Sequence, residues 1–280
     1  MSLQGKRILI TGSTGGLGRH AIDALRARGA SVAGIDRKRG DSDRETILAD
    51  VRDEGQVVRG VAEAVSRLGG LDILINNAGV LSLQDAGRMP GEDVREAVEV
   101  NLLGPWRVTA AALPALLESR GRIVNVASLF AVVNAPFIAA YSATKRGLSA
   151  YSDSLRFQYG DRIRVVTVYP GFMNTPIHDD AVRQGLSVEK LVSFRFLGRR
   201  VFTLEERLER GARGVVRACT GRFIRDRGIT LLGTISHFEA RHVPRLVDWF
   251  IGWRIRRLSR KGILNVRLDA AASLQETAVD

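Results

Sequence analysis

Cysteine is nearly absent from the chain: Cys219 stands alone among 280 residues. An intramolecular disulfide and a multi-cysteine metal site are thereby excluded. A reducing compartment fits, with Cys219 read as a packed helix residue. Long apolar runs are missing too. No stretch approaches the ~18 consecutive apolar residues of a membrane span. The opening MSLQGKRILITG passes from a short polar lead straight into a strand-like run, without the apolar core of a signal peptide. The expectation is a cytoplasmic protein, soluble or peripheral to a membrane. There is no internal repeat, zinc-finger spacing, aromatic RNA-binding motif or Lys-rich tail, so no nucleic-acid partner is expected.

Charge is plentiful and uneven. The formal net charge is +12, and residues 183–267 carry 20 Lys or Arg against seven acids, which leaves the rest about neutral. A basic excess of this kind suits an anionic membrane or an acidic substrate as well as a plain solvated face. With 45% hydrophobic content, a chain of this length can bury the core of one α/β domain.

Residues 7–11 (RILIT) form a short apolar run without polar alternation, the pattern of a strand buried on both faces of a parallel sheet. The run feeds TGSTGGLG, followed by helix-forming residues 17–28 with Gly29 as C-cap. Gly12, Gly16 and Gly18, with Ser13, Thr14 and Leu17 among them, let the backbone turn tightly and approach a pyrophosphate at a helix N-terminus. An ordinary glycine-rich turn would share this composition. A second strand, 31–35, ends at Asp36. An acid there accepts hydrogen bonds from the adenosine ribose hydroxyls and repels a 2′-phosphate, which favours NAD. Arg37 beside it can pair with a 2′-phosphate and keeps NADP open.

Strands are predicted at 46–49, 71–75, 122–127 and 163–169, with a further one at 229–232 (ITLL). Helices are predicted from the N-cap Asp53 to residue 68, from about Glu92, over 141–159 and over 205–219. Strand and helix alternate, which predicts right-handed crossovers and one doubly wound sheet. Asp50 and Val51 close the third strand. Asn77, Ala78 and Gly79 follow the fourth, at the strand ends where open parallel sheets bind ligands. Asn101 lies inside a predicted helix, where an asparagine needs a reason, functional or local.

Ser128, at the end of the fifth strand, precedes Tyr141 and Lys145. Four residues apart on a helix, the phenol and the ammonium share one face. A neighbouring cation favours the phenolate and brings it towards the working range of an acid–base catalyst, while Ser128 would bring a hydroxyl to the same carbonyl. Tyr and Lys at this spacing also occur on solvated helices.

Residues 172–202 read as a loop carrying more apolar side chains than an exposed loop would, either folding over a pocket or completing the core. From Pro244, RLVDWFIGWRIRRLSRK predicts a helix with Trp249, Phe250 and Trp253 beside Arg254, Arg256, Arg257 and Arg260. Residues 244–261 thus match an interfacial helix, although packing on their own domain or a subunit explains them too.

Taken in order, TGSTGGLG, Asp50-Val51, NNAG, Asn101, Ser128, Tyr141-x-x-x-Lys145 and the stretch Pro170-Gly171 to Thr175 resemble the motif series of the short-chain dehydrogenase/reductase family, from about Gly5 to Leu232. The resemblance implies an α/β fold, a Rossmann-like doubly wound parallel sheet of seven strands with helices on both faces. It further implies a nicotinamide cofactor with no metal required, a small-molecule substrate and a homodimer or homotetramer. It makes Tyr141 the general acid/base, with Lys145 lowering its pKa and holding the ribose hydroxyls. Ser128 would bind the reacting oxygen and Asn101 a relay water. Gly12, Gly16 and Gly18 would face the pyrophosphate, Asp50 and Val51 the adenine, Asn77 the adjoining backbone, and Thr175 the carboxamide, with Pro170 and Gly171 beside it. Residues 1–235 form the expected catalytic domain, with an apolar substrate segment at about 171–202. Residues 236–280 form a basic extension, loosely similar to those of members acting on lipophilic alcohols such as steroids and retinoids. A nonenzymatic nucleotide sensor or scaffold on the same fold is the competing expectation.

Overall fold

A strand that is apolar at every position needs an apolar neighbour on both sides, and the interior of a helix-flanked parallel sheet supplies both. In β1 (Arg7–Thr11), Ile8 and Ile10 enter one core and Leu9 the other, all fully buried. The structure, a computed structural model, describes residues 2–40, 45–81, 83–133, 135–173, 193–196, 199–203, 206–221, 226–231 and 233–234, and positions 249, 252, 253, 256, 257 and 260.

After β1 come α1 (Gly16–Arg26), β2 (Ser31–Asp36), β3 (Ile47–Leu48), α2 (Glu54–Leu68), β4 (Ile73–Asn76) and α3 (Glu92–Val98). A π-helical turn (Glu99–Leu103) runs into α4 (Gly104–Glu118), then β5 (Arg122–Val126), a 3₁₀ turn (Leu129–Ala131), α5 (Ala139–Tyr159) and β6 (Arg164–Tyr169). An antiparallel hairpin of β7 (Ser193–Phe196) and β8 (Arg199–Thr203) precedes α6 (Leu208–Thr220) and the two-residue β9 (Arg227–Gly228). Seven strands form one sheet in the order β3-β2-β1-β4-β5-β6-β9, with every pairing parallel. Helices α1 and α6 cover one face; α2, α4 and α5 cover the other. Each fully buried aliphatic side chain contributes about 1.5–3 kcal/mol to these two cores.

Local chemistry sets several boundaries. The Asp53 carboxylate accepts from the Gln56 amide at 2.9 Å and caps α2, which ends at Gly69 in the left-handed region. Arg122, buried at the start of β5, donates to the carbonyls of Ala218 and Gly221 and so satisfies the last turn of α6. Beside it Cys219 is buried in α6, as the sequence suggested, and burial pushes its thiol up to about 12. Tyr169 at the end of β6 donates to Asp226 and to Ser149, and Arg156 pairs with Asp226 at 2.9 Å.

Three expectations are corrected. The seventh strand is Arg227–Gly228 rather than 229–232. The Thr230 hydroxyl accepts from the amides of Gly171 (2.8 Å) and Gly233 (3.1 Å), and this pulls the apolar residues into a turn. Asn101 lies on the π turn rather than in a continuous α-helix. Residues 193–203 of the expected loop include paired strands, while 174–192 lie outside the described residues.

Candidate active site

The strand order reverses between β1 and β4, and at the carboxyl end of such a switch point the loops diverge and leave a crevice. Thr11, the last residue of β1, accepts on its hydroxyl from the amides of Asn77 and Ala78, both at 3.1 Å. The Asn77 side chain donates back to the carbonyls of Thr11 (3.0 Å) and Gly12 (3.1 Å). These bonds bring the glycine loop against the end of β4. Gly12 has φ +67°, and a β-carbon on it would stand 2.8 Å from Ala78 Cα; one on Gly18 would overlap the Gly12 carbonyl oxygen. Both glycines therefore have a packing reason besides any approach to phosphate.

Gly16, Leu17 and Gly18 open α1 with no side chain capping it, so its first-turn amides are left to a ligand in the cleft. Asp36 braces this loop: one carboxylate oxygen accepts from the Thr14 amide (3.0 Å) and hydroxyl (2.8 Å). Ser13 turns away. Its side chain is buried against Gly34 and Thr46, and it does not line the cleft, contrary to its expected place in the binding set. The reversal follows from the turn at Gly12, after which Thr14 faces the cleft and Ser13 faces β2.

The cleft holds about 670 Å³ and reaches from Asp36, Arg37, Lys38, Asp50 and Val51 to Ser128, Tyr141 and Lys145, with Gly79, Pro170 and Gly171 between. At the first end, Arg52 pairs with Asp50 at 2.6 Å and holds that carboxyl below the usual range. Glu96 lies 3.4 Å from Arg37 and 3.5 Å from Arg52. Sequence reasoning missed Arg52 and Glu96. The Asp50-x-Arg52 turn was a readable signal for the first; nothing local marked the second, which α3 brings in from 44 residues beyond Arg52.

At the other end, β5 delivers Ser128, whose φ of −167° is extended backbone and whose oxygen accepts from the Phe130 amide at 3.2 Å. Helix α5 places Lys145 one turn beyond Tyr141. Lys145 is 3% exposed, and its ammonium donates to the Val126 carbonyl at 2.9 Å and lies 5.9 Å from the Tyr141 ring centroid. Burial brings Lys145 down to about 8. Burial also raises Tyr141, with the Ser128 hydroxyl acting in the opposite direction. The expected lowering of the phenol by Lys145 is thus not found in the chain alone, where desolvation raises it.

Asn101 lies beneath the cleft rather than in its lining. Its side-chain oxygen accepts from the Val80 amide at 2.8 Å, and its nitrogen donates to the Val80 carbonyl (2.9 Å) and the Thr144 hydroxyl (3.2 Å). The same oxygen and the Lys145 ammonium both approach the α-carbon of Gly79 from its side-chain direction. Between Ser128 and Tyr141, Phe130 lines the cleft and meets the Tyr141 ring edge-on, whereas Val132 packs on Ala127, Ala131 and Tyr169. Phe172 and Met173 complete the apolar end. Thr175 lies outside the described residues.

An uncapped helix start behind glycines, an acid at the end of β2 and a cleft-lining Ser–Tyr–Lys group make up the chemistry that a nicotinamide dinucleotide requires, so the residues present fit that cofactor. Fold and cleft together define an oxidoreductase of the doubly wound α/β class. The chain belongs to the short chain dehydrogenase family, whose model matches residues 6–185. Among curated relatives it is 30% identical to 3beta-hydroxysteroid dehydrogenase 1 of Eggerthella lenta over 216 residues, covering 70% of this chain and 82% of that protein. Among solved structures, 3-ketoacyl-(acyl-carrier-protein) reductase from Brucella melitensis, complexed with NADH, superposes with a TM-score of 0.69 at 27% identity, covering 81% of this chain and 97% of that one. A short chain dehydrogenase from Burkholderia cenocepacia in complex with NADP reaches 0.73 at 24% identity over 90% of this chain and 99% of that one; at that identity the likeness is one of fold.

Proposed function

We propose that the protein interconverts an alcohol and its carbonyl on a bulky lipophilic substrate, with NAD(H) preferred. The observation that carries the reading is the convergence of Ser128, Tyr141 and Lys145 at one end of a cleft whose other end is lined by Asp36, Asp50 and Val51. When bound, the nicotinamide supplies the hydride acceptor or donor. Tyr141 exchanges a proton with the substrate oxygen, and Ser128 hydrogen-bonds that oxygen. Lys145, fixed by the Val126 carbonyl, keeps its charge close to the phenol and holds the ribose hydroxyls. Asn101 holds the loop at Val80 and, through Thr144, helix α5; it orders a water leading away from Lys145.

Phe130, Phe172 and Met173 support an apolar substrate, and the steroid dehydrogenase relative points in the same direction. Asp36 and the engagement of Arg37 by Glu96 support NAD. A homodimer or homotetramer, with residues 1–235 as the catalytic unit, completes the reading.

Tyr141→Phe is expected to lower turnover at least ~10³-fold while NADH affinity stays within about twofold. The assay is a panel of sterols, retinoids, long-chain alcohols and small ketones, followed by NADH absorbance. Wild-type rates in the variant would remove Tyr141 from the mechanism. NADH binding with no turnover of any panel member by the wild type would favour a nonenzymatic nucleotide sensor or scaffold.

A further inference from the structure

Outside the cleft, the largest unexplained chemistry lies beyond residue 235. Trp249, Gly252, Trp253, Arg256, Arg257 and Arg260 all have helical backbone. At 100° per residue, the two tryptophans and three arginines fall on one stripe of a helix. All five side chains are exposed, Trp249 by 61% and Trp253 by 42%. The Arg257 guanidinium lies 5.3 Å from the Trp253 ring centroid. From Trp249 to Leu268 the sequence has six Lys or Arg and no Asp or Glu.

Such a stripe has two kinds of group that one environment satisfies together. Indoles partition to the boundary between headgroups and acyl chains, and guanidinium groups beside them meet lipid phosphates. We propose that this face docks the protein on an anionic bilayer surface. The attachment is peripheral, since no helix among the described residues is long and apolar enough to cross a membrane. The inference rests on this stripe alone and is independent of the chemistry assigned to the cleft.

Full-length protein is mixed with vesicles of phosphatidylcholine, with or without about one-third phosphatidylglycerol, and sedimented. Binding to the anionic vesicles only, weakening with salt, is the expected result, with tryptophan emission shifted to the blue and quenched by brominated lipid. Arg256→Gln/Arg257→Gln/Arg260→Gln should weaken binding on the order of 100-fold. Trp249→Ala/Trp253→Ala should abolish the blue shift. Both variants should keep the wild-type melting temperature and NADH affinity, which separates lost docking from lost folding. Three results would overturn the proposal: no binding to either vesicle, equal binding to both, or a stripe that instead governs sedimentation mass or nucleic-acid binding without vesicle affinity.

Discussion

Lys145 illustrates how one residue can carry a site and a stability cost together. Burial disfavours its ammonium and brings it from 10.5 to about 8, so across that interval the unfolded chain binds more protons than the folded one. Stability contributed by this residue therefore rises from pH 8 to pH 10.5 and is lost as pH falls back through 8. The slope approaches ~1.4 kcal/mol per pH unit at most. Lys145→Met, which buries no charge, should be more stable than the wild type at pH 7 and lose that advantage by pH 10. Urea unfolding of both proteins at pH 7, 8.5 and 10 measures this, and a difference that stays constant with pH would show that the ammonium is not desolvated.

At the scale of elements, the glycine loop, α1 and the end of β4 form one packed unit, and Gly18 is its closest point. Replacing a helical glycine by alanine ordinarily stabilises a helix by about 1 kcal/mol. Here the added methyl meets the Gly12 carbonyl, so Gly18→Ala should lower the melting temperature by several degrees and NADH affinity by tenfold or more. Fluorescence titration with NADH reads the second effect; wild-type affinity would mean that α1 can shift without disturbing the loop. This unit was legible in the sequence because its signals are local: an unbroken apolar run, a glycine spacing, an acid at the next strand end. The same holds for Ser128, Tyr141 and Lys145, whose separation needs only a strand and one helical turn. What escaped the sequence depended on distant contacts. The π turn around Asn101 reflects bonds to Val80 and Thr144. The inward turn of Ser13 depends on the missing side chain at Gly34. β9 lies earlier than its apolar neighbours because a threonine hydroxyl captures Gly171. Glu96 had no local signal at all.

For the whole molecule, cofactor choice shows most directly as stability. A ligand at 100 times its dissociation constant stabilises the folded state by about 2.7 kcal/mol, which for a chain of this size raises the melting temperature by roughly 5–10 °C. NAD should give that shift at a concentration at least tenfold lower than NADP. Asp36→Ala should narrow the gap, because it removes the carboxylate that would face a 2′-phosphate. Thermal shift curves for wild type and variant against both nucleotides decide it, and tighter binding of NADP by the wild type would reverse the assignment.

Arg122 and the Tyr169–Asp226–Arg156 tie also bear on the order in which the molecule is made. Every described residue assigned to the cleft lies before residue 174, as does the β5–β6 scaffold that carries Ser128. The groups that steady this scaffold come afterwards: Ala218 and Gly221 for Arg122, and Asp226 for Tyr169 and Arg156 on the helix that bears Tyr141 and Lys145. A ribosome that has released the whole motif series has yet to release the helix and edge strand that lock it. During synthesis, the interval between having the reactive groups and being able to hold them in register is about 50 residues of chain.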